Sequence, residues 1–254
     1  MVLEYDGTDF CGFQRQPNGL SVQECLERAL LRLTGRETRV VAAGRTDAGV
    51  HAWAQVVNFR SSSRISVADW PAALNSALPA SIAALEAREA PEGFHARRCA
   101  KRKAYLYRLL NRPVRSPLEA RYAWHYPRPL NLESMLQALQ AARGKHDFSA
   151  FARREPGDRR SPVRTLSEAR CWREGEVVNV LLEADGFLYH MARSLVGTLV
   201  EIGAGARPAE DMAELLRSGE RSRAGATAPP QGLFLARVDY DCEHLRASFG
   251  RKFE

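Results

Sequence analysis

The segment Ala43-Gly44-Arg45-Thr46-Asp47-Ala48-Gly49-Val50-His51 places one carboxylate between two glycines, two residues after an arginine. Short valine-rich runs flank it, Val40–Ala43 before and Ala54–Phe59 after. Apolar runs of that length, bounded by glycine, predict two strands with Asp47 in the loop between them. A loop held by two strands can present a side chain for chemistry. An ionised carboxylate there can serve as a nucleophile or as a base. An Asp in Asp-Ala-Gly can equally close a turn through its own backbone, and the residues alone leave both readings open. If 45–47 is extended, Arg45 and Asp47 point to the same side. His51 is read as a structural hydrogen-bonding histidine rather than an acid or base.

Charge supplies the second signal. The chain has 254 residues and a net charge of +7. Arg97, Arg98, Lys101, Arg102, Lys103, Arg108, Arg112 and Arg115 follow one another with no acidic residue between them. Five arginines between Arg153 and Arg164 face only Glu155 and Asp158. Such clusters are footprints for a polyanion, or else solvated basic faces. Within the first run Tyr105, Tyr107 and Leu109 alternate onto one strand face. Tyr105 can be a stacking platform for a base or a core aromatic; Tyr107 is assigned to the core. Arg193 stands in the apolar run Phe187–Ile202 and Leu233 at the head of a strand-like run.

Several classes are set aside. Five dispersed cysteines without Cys-x-x-Cys predict reduced thiols and a cytoplasmic protein. Six dispersed histidines predict no metal site. The sequence lacks a phosphate-binding glycine loop and a dinucleotide fingerprint, so no cofactor is expected. No apolar run approaches the roughly 18 residues of a membrane span, and the start lacks a signal-peptide pattern.

The elements that must position these residues are legible in part. Val2–Tyr5 predicts an opening strand. Ser21 with Glu24 makes a capping box, Val22 to Leu33 an apolar helical stripe, and Gly35 a stop. Asp69 predicts the cap of a short helix with Pro71 in its first turn. Ile82–Leu85 and Ala104–Leu110 read as strands. Asn111 to Pro129 reads as a connection. Asn131 predicts a helix cap, Thr165–Trp172 and Val177–Leu182 a strand pair, Phe187–Ile202 an apolar helix, Pro208 onward another helix, and Leu233–Val238 a last strand. Strand pairs separated by helices predict an α+β fold with a mostly antiparallel sheet. The expected division is 1–110, a connection at 111–130, and 131–254.

Six blocks in order resemble the tRNA pseudouridine synthase A family. They are the opening Leu3–Thr8 with Gly12–Gln16, the Asp47 segment, Lys103–Arg108, His146–Phe148, Phe187–Arg193 and Gly232–Leu235. Ordered blocks are far more specific than one motif. The resemblance implies two similar α/β halves sharing one long central sheet, with the active-site cleft between them. It implies isomerisation of uridine to pseudouridine at positions 38, 39 and 40 of the tRNA anticodon stem-loop, by a homodimer without cofactor. Asp47 falls on the family's catalytic aspartate, as nucleophile at C1′ or as base toward a glycal. Arg45 would hold the turned-out nucleotide, Tyr105 would stack on its base, Arg193 would pair with the aspartate, and Leu233 would wall the pocket. The rival class is a non-catalytic RNA-binding protein. It accounts for the basic runs and leaves Asp47, Tyr105 and Arg193 together without a purpose.

Overall fold

The structure, a computed structural model, describes residues 1–153, 161–242 and 245–253. Two compact units emerge, Met1–Lys103 with Phe234–Glu254, and Ala104–Leu233.

The first unit opens with β1 (Val2–Tyr5). Helix α1 (Val22–Thr34) starts and stops where the sequence puts its signals. The Ser21 hydroxyl accepts from the Glu24 N–H at 3.2 Å, satisfying one of the orphan amide donors. Gly35, left-handed at φ 69°, donates its N–H to Leu31 O at 2.8 Å. Val22, Leu26, Ala29 and Leu30 are its buried face. Then come β2 (Val41–Ala42) and β3 (His51–Asn58), the two strands around Asp47. Helix α2 (Trp70–Asn75) begins as expected but is not capped by Asp69. A capping residue needs an extended backbone; Asp69 is already helical at φ −86°, and its carboxylate accepts from the Ser66 hydroxyl at 2.6 Å. β4 (Ile82–Glu86) follows, and β5 (Ala100–Leu110) carries the chain out of this unit.

The second unit continues with β6 (Trp124–His125), α3 (Leu132–Ala142), β7 (Gly144–Asp147), β8 (Val163–Glu174), β9 (Val177–Ala184), α4 (Met191–Gly203) and α5 (Asp211–Ser218). Asn131 caps α3 as expected, its Oδ1 accepting from Ser134 N–H at 3.2 Å. β7 has no apolar alternation and gave no sequence signal. Helix α4 starts four residues later than the apolar run suggests. His190 has φ 65° and ψ 0°, a left-handed conformation that no right-handed helix accommodates. Eleven residues of α4 are buried, so it is a core helix rather than an amphipathic one. Around it α3 packs on β8, α4 and α5.

The chain returns through β10 (Leu233–Cys242) and β11 (Leu245–Gly250). In the first unit the strand order is β4-β1-β3-β10, with β2 also on β3 and β11 on β10. β1 runs antiparallel to β3 and β4, whereas β10 runs parallel to β3, with Phe234 opposite His51. In the second unit the order is β5-β9-β8-β7, with β6 parallel on β5. The fold class is α+β with mixed strand pairing. Replacing Ser21 with alanine removes the α1 cap and should lower stability by about 1 kcal/mol in chemical denaturation.

Candidate active site

The Asp47 loop joins β2 to β3, and its backbone is held by side chains from the strands beneath it. The Gln55 amide brackets Gly44, donating from Nε2 to Gly44 O at 2.8 Å and accepting from Gly44 N–H at 3.4 Å. Gln55 is fully buried. Thr46 turns inward, its hydroxyl 2.8 Å from the Tyr5 phenol. Burial pushes that phenol up to about 12, so it stays protonated at neutral pH. Phe13 N–H donates to Thr46 O at 3.0 Å.

Close backbone approach lets a second segment brace the loop from outside. A Cβ on Gly12, which has φ 94°, would lie 2.7 Å from Thr46 O; one on Gly7 would lie 2.0 Å from Val50 O. Only glycine fits at such distances. Gly7 N–H also donates to His51 Nδ1 at 3.0 Å, and His51 is 1% exposed and stacked on Phe234. His51 is therefore a structural histidine, as its place in the motif suggested. The turn at Asp47 is closed by its main chain, Val50 N–H donating to Asp47 O at 3.1 Å with Gly49 at φ 76°. Burial alternates along the loop: Arg45 exposed, Thr46 buried, Asp47 half-buried. Arg45 and Asp47 thus share the face opposite Thr46.

The second unit carries the other candidates. Tyr105 is 7% exposed, with its ring 4.9 Å from Phe187 in an edge-to-face contact. Arg193, in the first turn of α4, donates from Nε to Ala228 O at 2.8 Å, and Ala228 N–H returns a bond to Arg193 O at 3.1 Å. Tyr107 donates its phenol proton to Pro229 O at 2.7 Å. Burial pushes the Tyr107 phenol up, against the opposing Arg193 charge. Leu233, 5% exposed, opens β10 directly after this segment. Arg193, Tyr107 and the stretch 228–233 are therefore one bonded group. The sequence put Tyr107 in the core, where it is, and gave no hint that its hydroxyl fixes the stretch before Leu233.

The long basic run is not one uniform patch. Arg108 pairs with Glu119 at 3.1 Å and Arg112 with Glu176 at 2.6 Å, and both also bond main-chain carbonyls. Arg97, Arg98 and Lys101 remain exposed. Of the second cluster, residues 154–160 lie outside the described residues. Among the described residues no group of three or more His, Cys, Asp or Glu side chains is placed to hold a metal ion, and no helix is long and apolar enough to cross a membrane.

The family model for tRNA pseudouridine synthase matches residues 1–97 and 138–241. The chain belongs to the tRNA pseudouridine synthase family. Arg45, Asp47, Arg193 and Leu233 fall inside the matched residues, and Tyr105 in the interval between them. A tRNA pseudouridine synthase A of Moorella thermoacetica is 47% identical over 246 residues, 94% of this chain and 98% of that protein. One from Halalkalibacterium halodurans is 47% identical over 240 residues, 93% and 90% of the two chains. One from Thermoanaerobacter sp. is 42% identical over 94% of this chain and 98% of its own length. The chain is thus an isomerase of the pseudouridine synthase type, and uridine in tRNA is its substrate class. In this synthase Gln55→Met keeps the side-chain volume and removes both bonds to Gly44. It should lower stability by about 2 kcal/mol in thermal denaturation, with turnover falling further as the loop loosens.

Proposed function

We propose that the chain converts uridine to pseudouridine at positions 38, 39 and 40 of the tRNA anticodon stem-loop, with Asp47 as the catalytic carboxylate. The observation that carries this reading is a half-buried carboxylate on a loop whose backbone is held by Gln55 at Gly44 and whose Thr46 side chain is anchored on the Tyr5 phenol. Catalysis on a rigid support requires that kind of pre-positioning. The isomerisation breaks the N1–C1′ bond, turns the base and forms C5–C1′; the C5 proton leaves and N1 gains one. Positive charge develops at C1′ as the bond opens, which suits an anionic side chain. Asp47 serves as nucleophile at C1′ or as base toward a glycal.

The remaining roles follow the family signature. Arg45, exposed on the loop, holds the nucleotide turned out of its stem. Tyr105 stacks on its base, a contact worth about 1–3 kcal/mol. Arg193 supplies a positive charge, and Leu233 the apolar wall. The target uridines are stacked in a stem, so the nucleotide must be flipped before reaction. The enzyme works in the cytoplasm as a homodimer without cofactor.

Asp47→Asn tests the central claim. Product formation, followed as tritium release from C5-labelled uridine in tRNA, should fall about a thousandfold or more, with tRNA affinity retained. A variant keeping a tenth of wild-type turnover ends the assignment. The polyanion partner has its own signature. Alanine at Arg97, Arg98 and Lys101 should reduce the log–log salt slope of tRNA binding by roughly 2, at 0.7 to 0.9 per phosphate. The choice of uridine should stay unchanged, because phosphate contacts position without specifying. An unaltered slope places the RNA path elsewhere.

A further inference from the structure

We infer that Arg251, with Lys252 beside it, contacts backbone phosphates of the tRNA, and that Trp53 holds the Arg251 guanidinium ready for that contact; this rests on tRNA being the substrate. β11 and these two residues lie beyond residue 241, where the family match ends. The contact is therefore not one of the roles carried by the family signature. All the residues involved belong to the first unit.

Gly250, at φ 120°, lets the end of β11 cross β10 closely. A Cβ there would lie 2.1 Å from Ala236 O and 2.8 Å from the Ala54 Cβ. Arg251 N–H then donates to Ala236 O at 3.1 Å. This fixed crossing sets the Arg251 guanidinium over the Trp53 ring, 3.8 Å from its centroid. Trp53 is itself stacked on Phe234 at 4.7 Å and 27°, and Phe234 on His51 at 4.7 Å and 23°. The guanidinium thus caps a column of rings anchored in β3 and β10. Stacking occupies the face of a guanidinium and leaves the N–H donors at its edge, in the fork that matches a phosphate. Arg251 is exposed, so that edge is open to a ligand.

The neighbouring arginines are already neutralised. Arg88, which lies over the Phe249 ring at 5.3 Å, pairs with Glu86. Arg246 pairs with Asp241 at 3.2 Å, and Arg237 with Asp239 at 3.4 Å. Among the described residues no carboxylate pairs with Arg251 or Lys252, and both are exposed. Unneutralised charge on a chain of net charge +7 is complementary to a polyanion. The β10–β11 pair is also bonded to the segment that leads into Arg97 and Arg98. Tyr240 donates its phenol proton to Ala96 O at 2.8 Å, and its ring centroid lies 6.0 Å from that of Phe249. Exposed positive charge therefore sits on two segments joined to each other within one unit, as contact with successive phosphates requires.

Dissociation constants of the full chain for tRNA, measured between about 50 and 200 mM salt, decide the matter, with melting temperatures alongside. Arg251→Gln removes the charge and keeps most of the stem. It should weaken binding about fivefold at the lower salt and reduce the log–log salt slope by roughly 0.8. Adding Lys252→Gln should bring the reduction to roughly 1.6. Arg251→Lys keeps the charge and loses the fork, so it should keep the slope and bind about twofold more weakly. Wild-type affinity and slope in Arg251→Gln overturn the proposal, and the guanidinium then serves another partner or none. A wild-type slope in Arg251→Gln together with a lowered melting temperature also overturns it, because the guanidinium then only covers Trp53. Failure of the functional reading looks different. Wild-type enzyme that binds tRNA but forms no pseudouridine at positions 38, 39 and 40 contradicts that reading, and the slopes still decide the phosphate contact.

Discussion

The Asp47 loop rests on a layer of buried polar side chains, and every buried polar group of its backbone needs a partner. That requirement organises the first unit. Gln55 answers it at Gly44 and Phe13 N–H at Thr46 O, while His51 Nδ1 accepts from the Gly7 N–H of the bracing segment. The close approach of the bracing segment depends on Gly7 and Gly12, which lack a Cβ. The strands β1 and β3 then contribute Tyr5, Gln55 and His51 as a buried polar layer beneath the loop. A network of this kind is rigid when fully satisfied and destabilising when not. Its bonds hold the backbone of the loop that carries Asp47.

The second unit fixes its own loop by the same means. Arg193 and Ala228 exchange bonds, and Tyr107 anchors Pro229 from β5. The stretch that precedes Leu233 is therefore held from a helix and from a strand at once. Arg193 is not a surface arginine reaching for water. Its guanidinium is partly engaged by a carbonyl, and its charge acts on the buried Tyr107 phenol.

Electrostatics divides the labour differently from composition. The net charge of +7 draws a polyanion to the surface. Arg108 and Arg112 hold their own unit together through Glu119 and Glu176. Arg97, Arg98 and Lys101 stay exposed.

The sequence by itself determined the local signals. The Ser21 and Asn131 caps, the Gly35 stop and the strands flanking Asp47 obey rules that act within a few residues, and they stand where those rules place them. The α+β class followed from strand pairs separated by helices, and the family from the order of the blocks. The alternating apolar face of β11, Leu245, Ala247 and Phe249, is local in the same sense. Other features had no local cause. The parallel pairing of β10 with β3 joins residues about 180 positions apart, and nothing in either strand names its partner. The late start of α4 depends on a left-handed His190 inside an apolar run that periodicity reads as helix throughout. The roles of Gln55 at Gly44 and of Tyr107 at Pro229 exist only once distant backbones are in contact. Capping and periodicity are local energies, so the sequence carries them openly. Side-chain bonds to a remote backbone are consequences of packing, and only the tertiary structure decides them.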